Sequence, residues 1–197
     1  MNEINVIAVV RFNDIKTSLD FSHACIEGGI NLLEVITIKK NSNEIISKLS
    51  KIEGVITGAG TVLNVESAEQ AYNAGAKFIV SPHTDEKIIS FTKSRGLISI
   101  AGAYTSSEIV NAYNMGVDYV KIFPASAGGP EYVKAIKEAL PFVKILVTGG
   151  VNLQNSRDYL SAGASLLGIS TALSGKGAAF DKNIVIKNSK DFISSIK

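Results

Sequence analysis

Apolar residues in this chain fall into short, almost unbroken runs separated by amphipathic stretches, and glycine marks most of the boundaries where a stretch gives way to a run. Ala74-Gly-Ala-Lys-Phe-Ile-Val80, Arg95-Gly-Leu-Ile-Ser-Ile100 and Met115-Gly-Val-Asp-Tyr-Val-Lys121 are three instances. Apolar positions in the stretches recur with helical spacing, which predicts helices near 16–26, 42–51, 65–73, 85–94, 106–114, 130–140 and 153–161, with a last one near 183–196. Thr105-Ser-Ser-Glu and Pro130 supply helix-start chemistry. A glycine just past a helix accepts the left-handed turn that releases the chain into a strand. Such junctions fall at 29, 54, 75, 96, 116, 141 (where Pro141 replaces glycine) and 163, at steps of 20 to 25 residues. With an opening strand at 5–10 the count is about eight βα units.

Eight such units are the number for a closed parallel barrel, and strands apolar on both faces fit a sheet covered on both sides. The competing fold is an open doubly wound sheet, but its Gly-x-Gly-x-x-Gly fingerprint is missing. The expectation is an α/β chain forming a single, minimal (β/α)8 barrel over residues 1–197. A loop is expected at Ser174-Gly-Lys-Gly-Ala-Ala179.

Composition narrows the classes. With 46% hydrophobic and 19% charged residues the chain is globular, and a net charge of +2 with interspersed signs gives no basic stripe for nucleic acid. No apolar run is long enough for a membrane span, and the first residues lack the pattern of a secretory leader. The lone Cys25 cannot form an internal disulfide, which fits a reducing cytoplasm, and reads as a small core residue. No His, Cys, Asp or Glu cluster has metal-ligand spacing, so no metal is expected.

In a parallel barrel the chemistry lies where strands turn into helices. Those ends carry Arg11, Glu34, Gly58-Ala-Gly-Thr61, Ser81-Pro-His83, Ala101-Gly102, Lys121, Thr148-Gly-Gly-Val151 and Gly168-Ile-Ser170. Lys121 stands out, because a buried ammonium is costly and a lysine so placed is driven toward the neutral amine that attacks carbonyls. The bland alternative is a strand-end lysine whose head reaches water. Side-chain alternation puts Leu32, Glu34 and Ile36 on one face, and Tyr119, Lys121 and Phe123 on one face. Glu34 is thus a candidate general base facing Lys121 across the barrel mouth, or else a carboxylate bound to backbone. Phe123 and Pro124 are the expected walls around the lysine. Thr148-Gly149-Gly150 on strand seven and Gly168-Ile-Ser170 on strand eight offer unobstructed backbone N–H groups, the usual place of a barrel phosphate cradle. Thr61 could donate its hydroxyl to a substrate carboxylate or cap the following helix. His83 reads as a loop residue with a possible rim contact, and His23 as structural.

Leu33-Glu-Val35, Gly58-Ala-Gly-Thr-Val62, Val80-Ser-Pro82, Val120-Lys-Ile-Phe-Pro-Ala125 and Thr148-Gly-Gly-Val151, in this order and spacing, resemble the class I 2-keto-3-deoxy-6-phosphogluconate (KDPG) and 4-hydroxy-2-oxoglutarate (KHG) aldolase family. The resemblance implies that Lys121 is the Schiff-base lysine, Glu34 the proton-transfer residue and Thr61 a ligand of the pyruvyl carboxylate. It implies that Gly149, Gly150 and the turn from Gly168 to Ser170 hold phosphate, and that Arg11 is a basic substrate-binding residue. It further implies a cofactor-free, cytoplasmic, homotrimeric lyase of the Entner–Doudoroff type acting on a phosphorylated keto-deoxy sugar acid. Two positions depart from the family pattern: Ile38 stands where many members carry arginine, and Ala101 where proline is usual before Gly102. Alternatives are a related aldolase of the phosphogalactonate or KHG type, a phosphosugar isomerase or epimerase using Glu34 as base, and a non-catalytic phosphosugar-binding barrel.

Overall fold

The computed structural model describes residues 6–175 and 180–196. Eight parallel strands close into a barrel in chain order: β1 (Val6–Val10), β2 (Leu32–Ile36), β3 (Ile56–Gly60), β4 (Phe78–Ser81), β5 (Ile98–Gly102), β6 (Tyr119–Ile122), β7 (Ile145–Thr148) and β8 (Leu166–Ile169). Closure is made by β8 on β1, with Ile7 opposite Gly168. Residue 5 of the expected first strand and residues 176–179 of the expected loop lie outside the described residues.

The helices are α1 (Ile15–Glu27), α2 (Ser42–Leu49), α3 (Val65–Asn73), α4 (Glu86–Ser94), α5 (Ser106–Asn114), α6 (Gly129–Ala139), α7 (Ser156–Ser161), α8 (Thr171–Ser174) and α9 (Lys182–Ser195). Their starts are chemical: Asp14, Asn64 and Asp85 each accept a backbone N–H from the first turn, and Thr105 with Glu108 forms a reciprocal capping box. Their ends follow the glycine rule, with the six junction glycines at φ from 68° to 102°. After α1, Ile30 donates its N–H back to the Cys25 carbonyl, and after α3, Ala76 does the same to Ala71. This wrap-around bond satisfies carbonyls that the ended helix leaves orphaned.

Alternation along the strands divides the core in two. Ile7, Leu32, Phe78, Val80, Ile100, Leu146 and Leu166 fill the barrel, whereas Ala8, Leu33, Ala59, Ile79, Val120 and Val147 face the helices. Gly58 belongs to the inner set, and a Cβ there would run into the Phe78 ring. Cys25 is wholly buried in the outer layer, and burial pushes its thiol up to about 12, which makes it inert packing.

Three elements differ from the sequence reading. Helix α7 begins at Ser156 rather than 153, because Asn152 Oδ1 accepts the N–H groups of Gln154 and Asn155 while Asn155 Oδ1 accepts that of Asn152. Side-chain turns of this kind satisfy the backbone without a helix. The short α8 and a 3-10 turn over Ala125–Ala127 were absent from the expected pattern, being too brief to carry periodicity.

Candidate active site

Glu34 and Lys121 meet inside the barrel mouth. They project inward from β2 and β6, and Lys121 Nζ lies 3.8 Å from Glu34 Oε1. Their side chains are 1% and 8% exposed respectively. Neither carboxylate oxygen of Glu34 has a hydrogen-bond partner among the described residues. Burying a carboxylate so sparsely partnered is costly, and a buried ion pair adds little stability even when well made. The arrangement is better suited to meeting a ligand, water or proton than to holding the barrel together.

Room for Glu34 is made by Gly60 on β3, opposite Ile36 of β2. A Cβ at Gly60 would overlap Glu34 Oε1 and stand 2.6 Å from its Cγ. Thr61, next in the chain, adopts a left-handed backbone at φ 57°. For a β-branched residue this costs on the order of 1–3 kcal/mol and is characteristic of binding turns. Thr37 steadies the turn by donating its hydroxyl to the carbonyls of Gly60 (3.0 Å) and Thr61 (3.1 Å), and its N–H to Gly60. Sequence reasoning did not find Thr37. Thr61 does not cap α3, since Asn64 does, and Thr61 is not among the residues lining the two cavities that hold Lys121 and Arg11. Ile38 is 65% exposed beside this turn.

Phe123 corrects the expected dry wall. Its ring is 53% exposed and lies over Lys121, 5.6 Å from Nζ to the ring centroid, so the barrel interior and not Phe123 keeps the lysine dry.

Arg11, Phe123, Thr148, Gly149, Gly150, Gly168 and Ser170 all line one cavity of about 210 Å³. Gly149 and Gly150 have φ of 85° and 87°, and a Cβ on Gly150 would approach Ser126 Cβ to 2.5 Å. Gly168 similarly clears the Thr148 side chain, which a Cβ would meet at 2.9 Å. The side-chain turns at Asn152 and Asn155 occupy N–H groups that an earlier helix start would have offered, so the cradle rests on the glycines and Arg11. A guanidinium above unobstructed backbone fits a phosphate.

The whole-chain comparison decides the family: the model described as KDPG and KHG aldolase matches residues 1–187. The chain belongs to the KDPG and KHG aldolase family. Aldolases of this family are lyases, and so is this chain. A 2-dehydro-3-deoxy-phosphogluconate aldolase of Treponema pallidum (strain Nichols) is 33% identical over 163 residues, 82% of this chain and 78% of that protein. A 2-dehydro-3-deoxy-6-phosphogalactonate aldolase of Escherichia coli (strain K12) is 28% identical over 91% of this chain and 89% of its own. Among solved structures, the KDPG aldolase of Legionella pneumophila with pyruvate captured as a covalent carbinolamine superposes with a TM-score of 0.82 at 26% identity, covering 98% of this chain and 93% of that one.

Other residues of this aldolase settle into place. His83 lines a second cavity, about 340 Å³, together with Lys121, Phe123 and Tyr104, so it is more than a loop histidine. His23 is exposed on α1. Among the described residues no group of His, Cys, Asp and Glu is gathered closely enough to hold a metal, and no helix is long and apolar enough to cross a membrane.

Proposed function

We propose that the protein is a Schiff-base aldolase that cleaves 2-keto-3-deoxy-6-phosphogluconate to pyruvate and glyceraldehyde 3-phosphate. The observation that carries the reading is the buried Lys121–Glu34 pair, 3.8 Å apart, with the Arg11 cavity beside it across the Phe123 ring. Once it has given up its proton, Lys121 attacks the C2 ketone, and loss of water from the carbinolamine leaves an iminium. The C4 hydroxyl gives up its proton, the C3–C4 bond breaks, and its electron pair flows through C3 to the iminium nitrogen, forming an enamine and releasing the aldehyde. Protonation at C3 and hydrolysis return pyruvate and the free lysine. Glu34, with both oxygens unclaimed by protein donors, takes the C4 proton through a water and returns one to C3. The imine is the electron sink, so the chemistry needs no cofactor. Thr61 in its strained turn receives the pyruvyl carboxylate, and Arg11 with the two glycine turns receives the phosphate. The cytoplasmic, homotrimeric state implied by the family resemblance belongs to the same proposal.

The choice of substrate is tested by pyruvate release from the gluconate-derived and galactonate-derived phosphorylated keto acids and from KHG. The expected order puts the first ahead, and KHG, which has no phosphate to occupy the Arg11 cavity, lower in kcat/KM by at least about 100-fold. Equal efficiency on KHG would remove the phosphate assignment. A lead for the galactonate compound would transfer the proposal to that substrate, in line with the E. coli relative.

A further inference from the structure

We propose that His83 donates a hydrogen bond to a hydroxyl of the aldehyde half of the substrate carried on Lys121, and so sets which hydroxylated aldehydes the enzyme accepts. The proposal rests on the aldolase reading and deepens it.

The ring is held in place through Nδ1 by a buried neighbour. Ser81, at the end of β4, is 3% exposed, and its Oγ accepts the backbone N–H of His83 at 3.3 Å. The same Oγ lies 3.1 Å from His83 Nδ1. Among the described contacts, Nδ1 is the acceptor available to the buried Ser81 hydroxyl proton. With Nδ1 accepting from that hydroxyl, the ring proton sits on Nε2, which is the donor the proposal uses. The segment bearing the ring is fixed as well. Thr84 Oγ1 donates to the Gly102 carbonyl at 3.0 Å, and Gly102 has no Cβ to collide with the Pro82 carbonyl beneath it. Gly102 is itself paired with Lys121 in the β5–β6 register.

The cavity's charge selects the ligand. Glu108 lines the same cavity, and its Oε2 accepts the N–H groups of Thr105 (2.8 Å) and Tyr104 (3.0 Å). These donors hold its carboxyl below the usual carboxylate range, so it is ionised at neutral pH. An anionic arm of the substrate would be repelled there, and the Arg11 cavity already offers the cationic site. Phe123 lines both cavities, so a carbon chain running from Lys121 Nζ to Arg11 passes the Phe123 ring, and on this proposal its hydroxyls turn toward the His83 side. A neutral hydroxyl meeting an N–H donor is the match.

The experiment runs the reaction in the addition direction with pyruvate and two acceptors, glyceraldehyde 3-phosphate and its 2-deoxy analogue, 3-oxopropyl phosphate. The wild-type preference for the hydroxylated acceptor, as a ratio of kcat/KM values, is expected to fall about tenfold in His83→Leu. Ser81→Ala, which frees the tautomer, is expected to lower the ratio in the same direction by a smaller factor, and it serves if His83→Leu does not fold. An unchanged ratio, or an equal loss on both acceptors, overturns the proposal whatever happens to the absolute rates. Wild-type protein that forms no borohydride-trapped adduct with pyruvate removes the aldolase reading itself; a trapped adduct with an unchanged ratio removes only the role of His83.

Discussion

Lys121→Met abolishes cleavage while leaving the barrel folded: kcat/KM falls by roughly 10⁴- to 10⁶-fold, the scale on which losing a nucleophile acts in enzymes of this kind. Without the amine no imine forms, and without the imine the C3–C4 electron pair has no sink. Methionine keeps most of the volume of the lysine stem at a position that is only 7% exposed. Removing the amine alone strands the Glu34 carboxylate at 1% exposure, so the companion Lys121→Met/Glu34→Leu is the informative stability measurement. Replacing a buried ion pair by apolar residues is neutral or stabilising by about 1–4 kcal/mol, and the double variant is expected to unfold at or above the wild-type temperature. Activity lost together with a markedly lower Tm in the double variant would mean that the pair holds the barrel rather than serving chemistry.

The second large effect is expected at a residue with no reactive group. In Gly60→Ala the new methyl overlaps Glu34 Oε1 and presses on its Cγ, forcing the carboxylate away from Lys121. An error of about 1 Å in a reacting group costs about 100-fold in rate, and kcat is expected to fall by that order. Overpacking adds roughly 1–3 kcal/mol of destabilisation. Gly58→Ala separates the two consequences. Its methyl meets Phe78 deeper in the same barrel, so it carries a similar stability cost with a far smaller loss of kcat. Tm and kcat measured on both variants decide the matter. A Gly60→Ala enzyme with wild-type kcat would show that the position of Glu34 does not matter.

The barrel was legible because its signals are local. Each junction glycine takes a left-handed turn between a helix and the next strand, directly past the helix cap at all but Gly54, and the apolar runs that follow have the length of a strand. The strand ends then place Lys121, Glu34, Arg11 and the two glycine turns at one mouth. Contacts that depend on closure could not be read in the same way. That Glu34 faces Lys121 across the mouth was expected from alternation, but the 3.8 Å between them is set by strand tilt and side-chain reach in the closed barrel. Gly58 and Gly60 stood in the sequence only as small residues at a strand end, yet one clears a phenylalanine and the other a carboxylate, which alternation along β3 could have suggested. Thr37 was missed because its partners are carbonyls of the next strand, 23 and 24 residues on. The start of α7 was misplaced because Asn152 and Asn155 compete for the backbone, a clue visible in the Asn-x-x-Asn spacing itself. His83 was undervalued because its ring is aimed by a buried serine two residues earlier.

The central claim is that the Lys121 amine becomes covalently joined to substrate carbon. Pyruvate added to the wild-type enzyme and reduced with borohydride is expected to leave the mass of one reduced pyruvyl group per chain, carried on the peptide that contains Lys121 and absent from Lys121→Met. An unmodified Lys121 peptide, or a label found on another lysine, would contradict the account.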